Sequence, residues 1–179
     1  MARLPLPRLS RLAPLLLALA GAPSVLADLS EDQAKTSLIF NLTKFVEWPQ
    51  TAPDRTLNLC VFREDSIAPT LATLRDKTSK GLVLRTPRAD TTDEARSCQV
   101  LFVGRGEQPS LRPLVRALRG QPVLVVSDIP DSAATGAAVE VFLDGRRLAF
   151  KINKGAADAA GIKLSSQLFS LAKAVYDQP

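Results

Sequence analysis

Apolar residues recur every three or four positions between residues 31 and 47, which predicts an amphipathic helix over this range. Ser30 and Gln33 form a capping-box pattern at its start. Trp48 and Pro49 predict its end, because the residue before a proline is pushed out of the helical region. The aromatic residues Phe40, Phe45 and Trp48 are expected to belong to the core, and an interface is the alternative.

Short apolar runs alternate with helical patterns through the middle of the chain. The runs predict strands at 57–62, 82–85, 98–104 and 122–128. The helical patterns predict helices at 67–77 and 109–119, and the polar stretch 86–96 predicts a loop. Two of the strands are almost wholly apolar, which is typical of parallel strands covered on both faces. The alternation therefore predicts right-handed βαβ crossovers and a mainly parallel sheet.

The pattern changes near the C-terminus. Asp144-Gly145 separates two alternating runs and predicts an antiparallel hairpin, because glycine supplies the positive φ of the turn. Asn153 is placed to cap a final helix that runs to Asp177, although Gly161 weakens the middle of that helix. The whole pattern predicts a three-layer α/β domain. Its mostly parallel sheet is flanked by helices and followed by a C-terminal antiparallel hairpin and a final helix.

The first 27 residues have the three-part pattern of a secretory signal peptide. Arg3, Arg8 and Arg11 form a basic start, and the apolar run 12–20 is shorter than the roughly 20 residues of a membrane-spanning helix. Compact residues at 25–27 then suit a signal peptidase. We expect cleavage after Ala27, which leaves residues 28–179 as one exported domain. An uncleaved N-terminal anchor is the alternative.

Charge and composition narrow the classes of function. The net charge of the chain is +5, and loss of the three arginines of the predicted signal lowers it to +2, which gives no support for a nucleic-acid partner. The chain contains no histidine. A Ser-His-Asp or Cys-His nucleophile and an imidazole metal ligand are therefore excluded. We predict no catalytic residue, no metal and no cofactor.

The loops that follow three of the buried strands carry polar residues where α/β sheets usually place ligand sites. These residues are Arg63, Asp65, Arg105, Asp128 and Asp131. Because the carboxyl ends of parallel strands meet at one edge, the five residues predict a crevice for a small ligand or a partner. For the segment 127–132, which includes Asp128 and Asp131, a satisfied polar connector is the favoured interpretation and a ligand site is the alternative.

Cys60 and Cys98 are the two cysteines of the chain. Both are expected on apolar strands that are neighbours in the parallel sheet, and an exported protein can keep a disulfide. The bridge would close a loop that the chain-entropy model associates with about 4 kcal/mol of stabilisation. Two buried thiols are the alternative.

The segment 38–49 resembles the opening signature of the YfiR family of periplasmic regulators. Its signature residues are Asn41, Lys44, Phe45, Trp48 and Pro49. The similarity continues in order through the segments 59–61, 97–103, 123–128, 150–153 and 160–168. It thus extends over nearly all of the predicted exported domain.

The resemblance implies a non-catalytic periplasmic regulator. It would bind the periplasmic domain of an inner-membrane diguanylate cyclase and hold the enzyme inactive, thereby controlling cyclic-di-GMP signalling and biofilm formation. It further implies a homodimer, capture by an outer-membrane lipoprotein, and redox-sensitive disulfides. Of two cysteine pairs associated with the family, this sequence has only the pair matching Cys60 and Cys98. The residues themselves leave a periplasmic small-molecule-binding module as the alternative function.

Overall fold

Helices and strands alternate along residues 30–49 and 55–178, the part of the chain that the computed structural model describes. The helices are α1 (Glu31–Thr43), α2 (Ala68–Ala72), α3 (Thr92–Ala95), α4 (Gln108–Ala117), α5 (Ser132–Thr135), α6 (Lys154–Ala159) and α7 (Ser166–Leu171). The strands are β1 (Val46–Glu47), β2 (Thr56–Phe62), β3 (Thr78–Ser79), β4 (Leu82–Arg85), β5 (Arg88–Ala89), β6 (Val100–Val103), β7 (Leu124–Ser127), β8 (Val139–Asp144), β9 (Arg147–Asn153), β10 (Lys163–Leu164) and β11 (Ala174–Tyr176). The predicted signal peptide and its cleavage site lie outside the described residues. Within those residues, none of the helices is long and apolar enough to cross a membrane.

A nine-stranded sheet forms the middle layer of the fold. Its strands follow the order β11, β9, β8, β7, β6, β2, β4, β3, and β5 also pairs with β2. The pairs from β4 through β2, β6 and β7 to β8 are parallel. The β8–β9 hairpin is antiparallel and turns at Gly145, whose φ is +64°. The mostly parallel sheet and the antiparallel hairpin predicted from the sequence are confirmed.

Helices cover both faces of the sheet, so the apolar side chains form two cores. One core, which includes residues of α1, contains Ile39, Leu42, Leu57, Leu59 and Val61. The other, which includes residues of α4, contains Cys60, Phe62, Leu111, Leu114 and Leu118. Successive residues of β2 alternate between the two cores, as the pleat of a strand requires. The three-layer α/β architecture is confirmed.

The first helix is shorter than its apolar spacing predicts. The capping box is present, because Ser30 accepts a hydrogen bond from the Gln33 amide and Gln33 bonds back to the Ser30 amide. The predicted end at residue 47 is wrong, since α1 ends at Thr43. The Thr43 hydroxyl donates to the Phe40 carbonyl at 2.7 Å, and Val46–Glu47 instead pair antiparallel with β10. Pairing of Val46–Glu47 with the distant strand β10 therefore takes the place of the last helical turn that the sequence predicted.

A helix does follow the hairpin, but its predicted extent to Asp177 is wrong. Asn153 does cap a helix, because its side chain accepts a 2.9 Å hydrogen bond from the Ala156 amide. That helix stops at Ala159, and Gly161 reverses the chain with a φ of +68°. The remaining residues form β10, α7 and β11, the last of which extends the sheet beside β9.

Smaller differences concern the connections. The helix predicted at 67–77 is limited to α2 and a turn, where Asp76 has a positive φ of 65°. The stretch 86–96 is not only loop, because Thr91 and Glu94 form a capping box that starts α3. The helix predicted at 109–119 is α4, and a 3-10 turn precedes it at Arg105–Glu107.

Candidate functional site

Three polar loops meet at the carboxyl edge of the sheet. Asp65 follows β2 and lies against Gly104 after β6, so closely that a Cβ on Gly104 would sit 1.6 Å from Asp65 Oδ2. Arg105 reaches the loop after β7, where its Nε donates to the Asp128 carbonyl oxygen at 3.2 Å. The parallel pairing of β2, β6 and β7 places these loops side by side. The predicted crevice therefore contains Asp65, Arg105 and Asp128.

A cavity of about 470 Å³ opens at this edge. Its lining comes from the three loops and from the first turn of α1: Ser30, Glu31, Asp32, Lys35, Asp65, Ser66, Arg105, Gly106 and Asp128. Four of these side chains are acidic and two are basic. The cavity thus has an acidic lining, and the α1 wall is a part that the sequence did not predict.

Lys35 is the central residue of the α1 wall. Its Nζ lies 2.6 Å from Asp128 Oδ2 and 2.7 Å from Glu31 Oε1, and only 6 % of Lys35 is exposed. Burial by itself lowers the pKa of Lys35, but the hydrogen bonds to Asp128 and Glu31 outweigh burial and raise it. The bond from Lys35 in turn lowers the pKa of Glu31. Lys35 is therefore a charged ammonium held between two carboxylates.

A signal for Lys35 was present in the sequence. Lys35, Ile39 and Leu42 are spaced four and three residues apart, so all three lie on the same stripe of α1. Ile39 and Leu42 are buried in the core. A lysine on such a stripe needs a buried acidic partner, and Asp128 supplies it.

Asp128 is a buried carboxylate with one free oxygen. The residue is 6 % exposed, and its Oδ2 accepts from Lys35. Its Oδ1 has no hydrogen-bond partner among the described residues. The preceding Ser127 fixes the loop, because its hydroxyl donates to the Val103 carbonyl at 2.7 Å and accepts from the Ile129 amide at 3.1 Å. The free Asp128 oxygen belongs to a residue that lines the cavity.

Asp65 forms the opposite side of the acidic lining. Its Oδ1 accepts a 3.0 Å hydrogen bond from the Ile67 amide. Burial raises the pKa of Asp65, and the negative charges of Asp128 and Asp32 raise it further. An ion pair to a described residue is found for neither Asp65 nor Asp32.

Arg63 and Asp131 lie outside the cavity. The Arg63 guanidinium contacts the Phe62 ring and donates to Glu107 Oε2 at 2.9 Å. Asp131 is exposed and lies 4.0 Å from Lys151 Nζ. The structure thus brings three of the five predicted edge residues into one site and leaves these two at its margins.

A second buried ion pair lies farther along the sheet. Glu140 on β8 is 2 % exposed, and its Oε1 accepts from Lys151 Nζ at 2.8 Å. Its Oε2 accepts from the Ala133 amide at 3.2 Å. The bond to Glu140 raises the pKa of Lys151. Both oxygens of this carboxylate are therefore satisfied within the protein.

The signature residues lie at the other edge of the sheet. Trp48 Nε1 donates to the carbonyl of Gln99, which precedes β6, at 3.0 Å. The Phe45 carbonyl accepts from the Ser165 amide at 3.0 Å, and the Pro49 ring lies against Gly161. Phe45 and Trp48 are half-buried and pack against the core. This part of the signature holds the α1–β1 connection onto the domain.

The rest of the signature faces outward. Asn41 and Lys44 are exposed on α1, and Lys44 Nζ donates to Asn41 Oδ1 at 2.8 Å. Lys44 also lies over the Phe40 ring, 4.6 Å from its centre. These two polar side chains form a small exposed patch on α1.

Cys60 and Cys98 form a disulfide, with their Cα atoms 5.9 Å apart. Both residues are 1 % exposed. Cys60 is on β2, whereas Cys98 lies two residues before β6 and not on the strand itself. The predicted bridge is confirmed, and it is of a kind that persists in oxidising compartments.

These features define a disulfide-bonded, three-layer α/β domain with an acidic cavity at the carboxyl edge of its sheet. Among residues 30–49 and 55–178, no group of three or more acidic or cysteine side chains is arranged to hold a metal ion. A family model described as YfiR/HmsC-like matches residues 32–173. The chain therefore belongs to the YfiR/HmsC-like family, as its signature predicted.

Two solved structures share the fold. A conserved domain protein from Vibrio cholerae O1 biovar El Tor is 13 % identical over 83 % of this chain, with a TM-score of 0.53. An ABC domain from Streptococcus pneumonia in complex with L-Trp is 14 % identical over 80 % of this chain, with a TM-score of 0.52. The match spans 61 % of each of those chains. At this level of identity the likeness concerns the fold alone.

Proposed function

We propose that this chain is a periplasmic, non-catalytic regulator that binds the periplasmic domain of an inner-membrane diguanylate cyclase and inhibits it. The observation that carries the proposal is the YfiR/HmsC-like match over residues 32–173. The matched range includes the disulfide, both buried ion pairs and the parallel strands from β4 through β2, β6 and β7 to β8. Inhibition by contact requires a folded surface and no reacting group, which is consistent with a chain without histidine.

Two features of the chain support a periplasmic location. The Cys60–Cys98 disulfide suits an oxidising compartment, and the first 27 residues have the pattern of a secretory signal. We propose cleavage between Ala27 and Asp28. The intact mass of the protein recovered from periplasm tests this directly. A mass that still includes residues 1–27 would make the protein membrane-anchored instead.

Deletion of the gene tests the inhibitory role. Cellular cyclic-di-GMP should rise when the regulator is removed and return to the starting level when the intact chain is supplied again. The strain must be shown to express the cyclase. An unchanged level in such a strain would contradict the proposal.

The exposed signature patch offers a sharper variant for the same experiment. We propose that Asn41 and Lys44 contact the cyclase, because within the described part of the chain their side chains bond only to each other and to the Phe40 ring at the surface. Asn41→Ala/Lys44→Ala should fold normally and fail to restore repression. The matched control is Lys154→Ala/Asp158→Ala, which removes another exposed pair, a lysine–aspartate ion pair on α6. Full repression by the Asn41/Lys44 variant would exclude this patch as the contact.

The family resemblance also supports a homodimer and capture by an outer-membrane lipoprotein. Leu171 and Val175 are 65 % and 48 % exposed beside the sheet edge formed by β11, which makes that edge our candidate for the dimer contact. Light scattering should give twice the chain mass, and Leu171→Ser/Val175→Ser should lower it to one chain.

The second candidate function is a periplasmic small-molecule-binding module, favoured by the cavity at the carboxyl edge. Copurification from solubilised membranes separates the two functions. A regulator should retain the integral-membrane cyclase, whereas a module that only binds a ligand should not.

A further inference from the structure

A second cavity, of about 280 Å³, lies at the amino edge of the sheet. Its lining comes from α4 and the segment that leads from it into β7, from α5 and the residues before β8, and from α6. Because β7 and β8 are parallel, their first residues lie side by side at this edge. The cavity shares no lining residue with the acidic cavity at the carboxyl edge. We call it the arginine cavity, after Arg112, Arg116 and Arg119, which line it.

The three arginines give the arginine cavity its charge. Arg112, Arg116 and Arg119 follow one another at spacings of four and three residues, which makes them neighbours on one side of the helix. All three are exposed, and within the described part of the chain none of them forms an ion pair or a side-chain hydrogen bond. None of the described lining residues is acidic. The lining therefore carries three positive charges and no negative one.

The lack of a counter-charge sets these arginines apart from others on the surface. Arg88 pairs with Asp90, and Arg63 pairs with Glu107, at 2.9 Å in both cases. By contrast, the chain has no acidic residue from 108 to 127. Like charges at helical spacings of three and four residues destabilise a helix. An anion bound in the arginine cavity would relieve this repulsion.

The remaining lining of the arginine cavity is almost wholly apolar. Apart from the three arginines and Thr135, it consists of alanine, glycine, valine and leucine residues. The Thr135 hydroxyl donates to the Asp131 carbonyl at 3.0 Å, so it is already bonded. A fitting ligand therefore combines an anionic group with an apolar body. The volume of about 280 Å³ is close to the lower end of the range of small-molecule sites, which favours one short chain over a two-chain lipid.

We propose that the arginine cavity binds a medium-chain fatty carboxylate. The carboxylate pairs with the guanidinium groups of Arg112 and Arg116, because a planar guanidinium can donate two parallel hydrogen bonds to a carboxylate. The alkyl chain packs against Val115, Ala156 and Ala159, which line the cavity and are at least partly exposed. Burial of the methylene groups supplies most of the affinity, since an exposed ion pair contributes little by itself. This binding goes beyond the proposed regulation of a cyclase and does not depend on it.

Calorimetric titration of the exported protein with sodium octanoate at about pH 7.5 tests the proposal. Binding of one octanoate per chain is expected. Arg112→Gln/Arg116→Gln should weaken this binding by about tenfold, because the variant removes both ion pairs. Acetate should bind at least about a hundredfold more weakly than octanoate, because it lacks the alkyl chain. Octylammonium should bind at least about tenfold more weakly, because the arginines repel its charge.

The matched control is Arg75→Gln/Arg85→Gln. Arg75 and Arg85 are exposed and do not line the arginine cavity. Their loss changes the net charge by the same amount and should leave octanoate affinity within about twofold, since distant exposed charges are screened. Several results would overturn the proposal: no binding at millimolar octanoate, equal losses for the two double variants, or equal affinity for octylammonium. Circular dichroism of each variant confirms that it is folded before titration.

Discussion

Two lysine–carboxylate pairs, Lys35–Asp128 and Lys151–Glu140, are alike in chemistry and differ in completeness. Each carboxylate is at least 94 % buried, and each accepts from its lysine at 2.6–2.8 Å. Glu140 uses its second oxygen to accept from the Ala133 amide, whereas Asp128 Oδ1 has no partner among the described residues. Both oxygens of Glu140 are therefore bonded within the fold, whereas one oxygen of Asp128, a residue that lines the acidic cavity, is not.

The two carboxylates also differ in the elements that they link. Glu140 links α5 to the β8–β9 hairpin, since it bonds to Ala133 and to Lys151. Asp128 links α1 to the sheet through Lys35 alone, and it stands among carboxylates that repel one another.

Removal of the disulfide should have the largest effect on stability. The disulfide connects two segments that lead to the loops of the acidic cavity. It ties β2, which leads to Asp65, to the segment that leads into β6 and Arg105. Cys60→Ser/Cys98→Ser should lower the free energy of unfolding by about 4 kcal/mol, because the unfolded chain regains the freedom of a closed loop. Urea unfolding measures the loss, and the reduced natural protein is the control. A loss below about 1 kcal/mol would contradict a stabilising bridge.

Removing each lysine in turn tests which pair stabilises the fold more. Lys151→Met should cost about 3 kcal/mol, because Glu140 would be left buried without a counter-charge. Lys35→Met should cost less, about 2 kcal/mol, since Arg105 remains 3.6 Å from Asp128. Urea unfolding of both variants at pH 7 gives the comparison. The reverse order would show that the Asp128 pair is the main structural one.

A methyl group at Gly104 tests how closely the cavity loops fit. The backbone of Gly104 is extended, so alanine is allowed there, but its Cβ would meet Asp65 Oδ2. Gly104→Ala should cost about 1 kcal/mol, because Asp65 must turn away and lose its bond from the Ile67 amide. In the background of Asp65→Ala the same change should be close to neutral. An equal cost in both backgrounds would exclude contact with Asp65 as the cause.

Asp65→Asn should have the smallest effect, and in the stabilising direction. Folding raises the pKa of Asp65, so its ionised form destabilises the native state at neutral pH. The asparagine variant keeps an oxygen for the Ile67 amide and should melt about 2 °C higher at pH 7. The gain should shrink as pH falls through the raised pKa of Asp65, and vanish below the ordinary carboxyl range, where both states are protonated. Thermal melts between pH 3 and 7, at roughly equal ionic strength, measure this. A gain that does not change with pH would contradict the electrostatic explanation.

The helical spacing of apolar residues gave wrong helix ends at the two segments that pair with each other as strands. The apolar positions around Ile162, Leu164 and Leu168 do contact the core, but not along one helix. Gly161 reverses the chain, and Lys163–Leu164 pair with Glu47 and Val46. The same pairing removes the last turn predicted for α1. Local periodicity does not reveal this, because the two paired segments lie more than 100 residues apart in the chain.

The sequence by itself determined the layered α/β fold, because buried parallel strands leave continuous apolar runs and their polar loops follow at fixed positions. It also determined the family, the capping box of α1 and the two cysteines of the disulfide. Only the tertiary structure decided which edge residues meet. Asp65, Arg105 and Asp128 converge while Arg63 and Asp131 do not, because side-chain direction after each strand depends on packing. Lys35 is part of the site for the same reason, because the contact between α1 and the loop after β7 joins residues that are 93 positions apart in the chain.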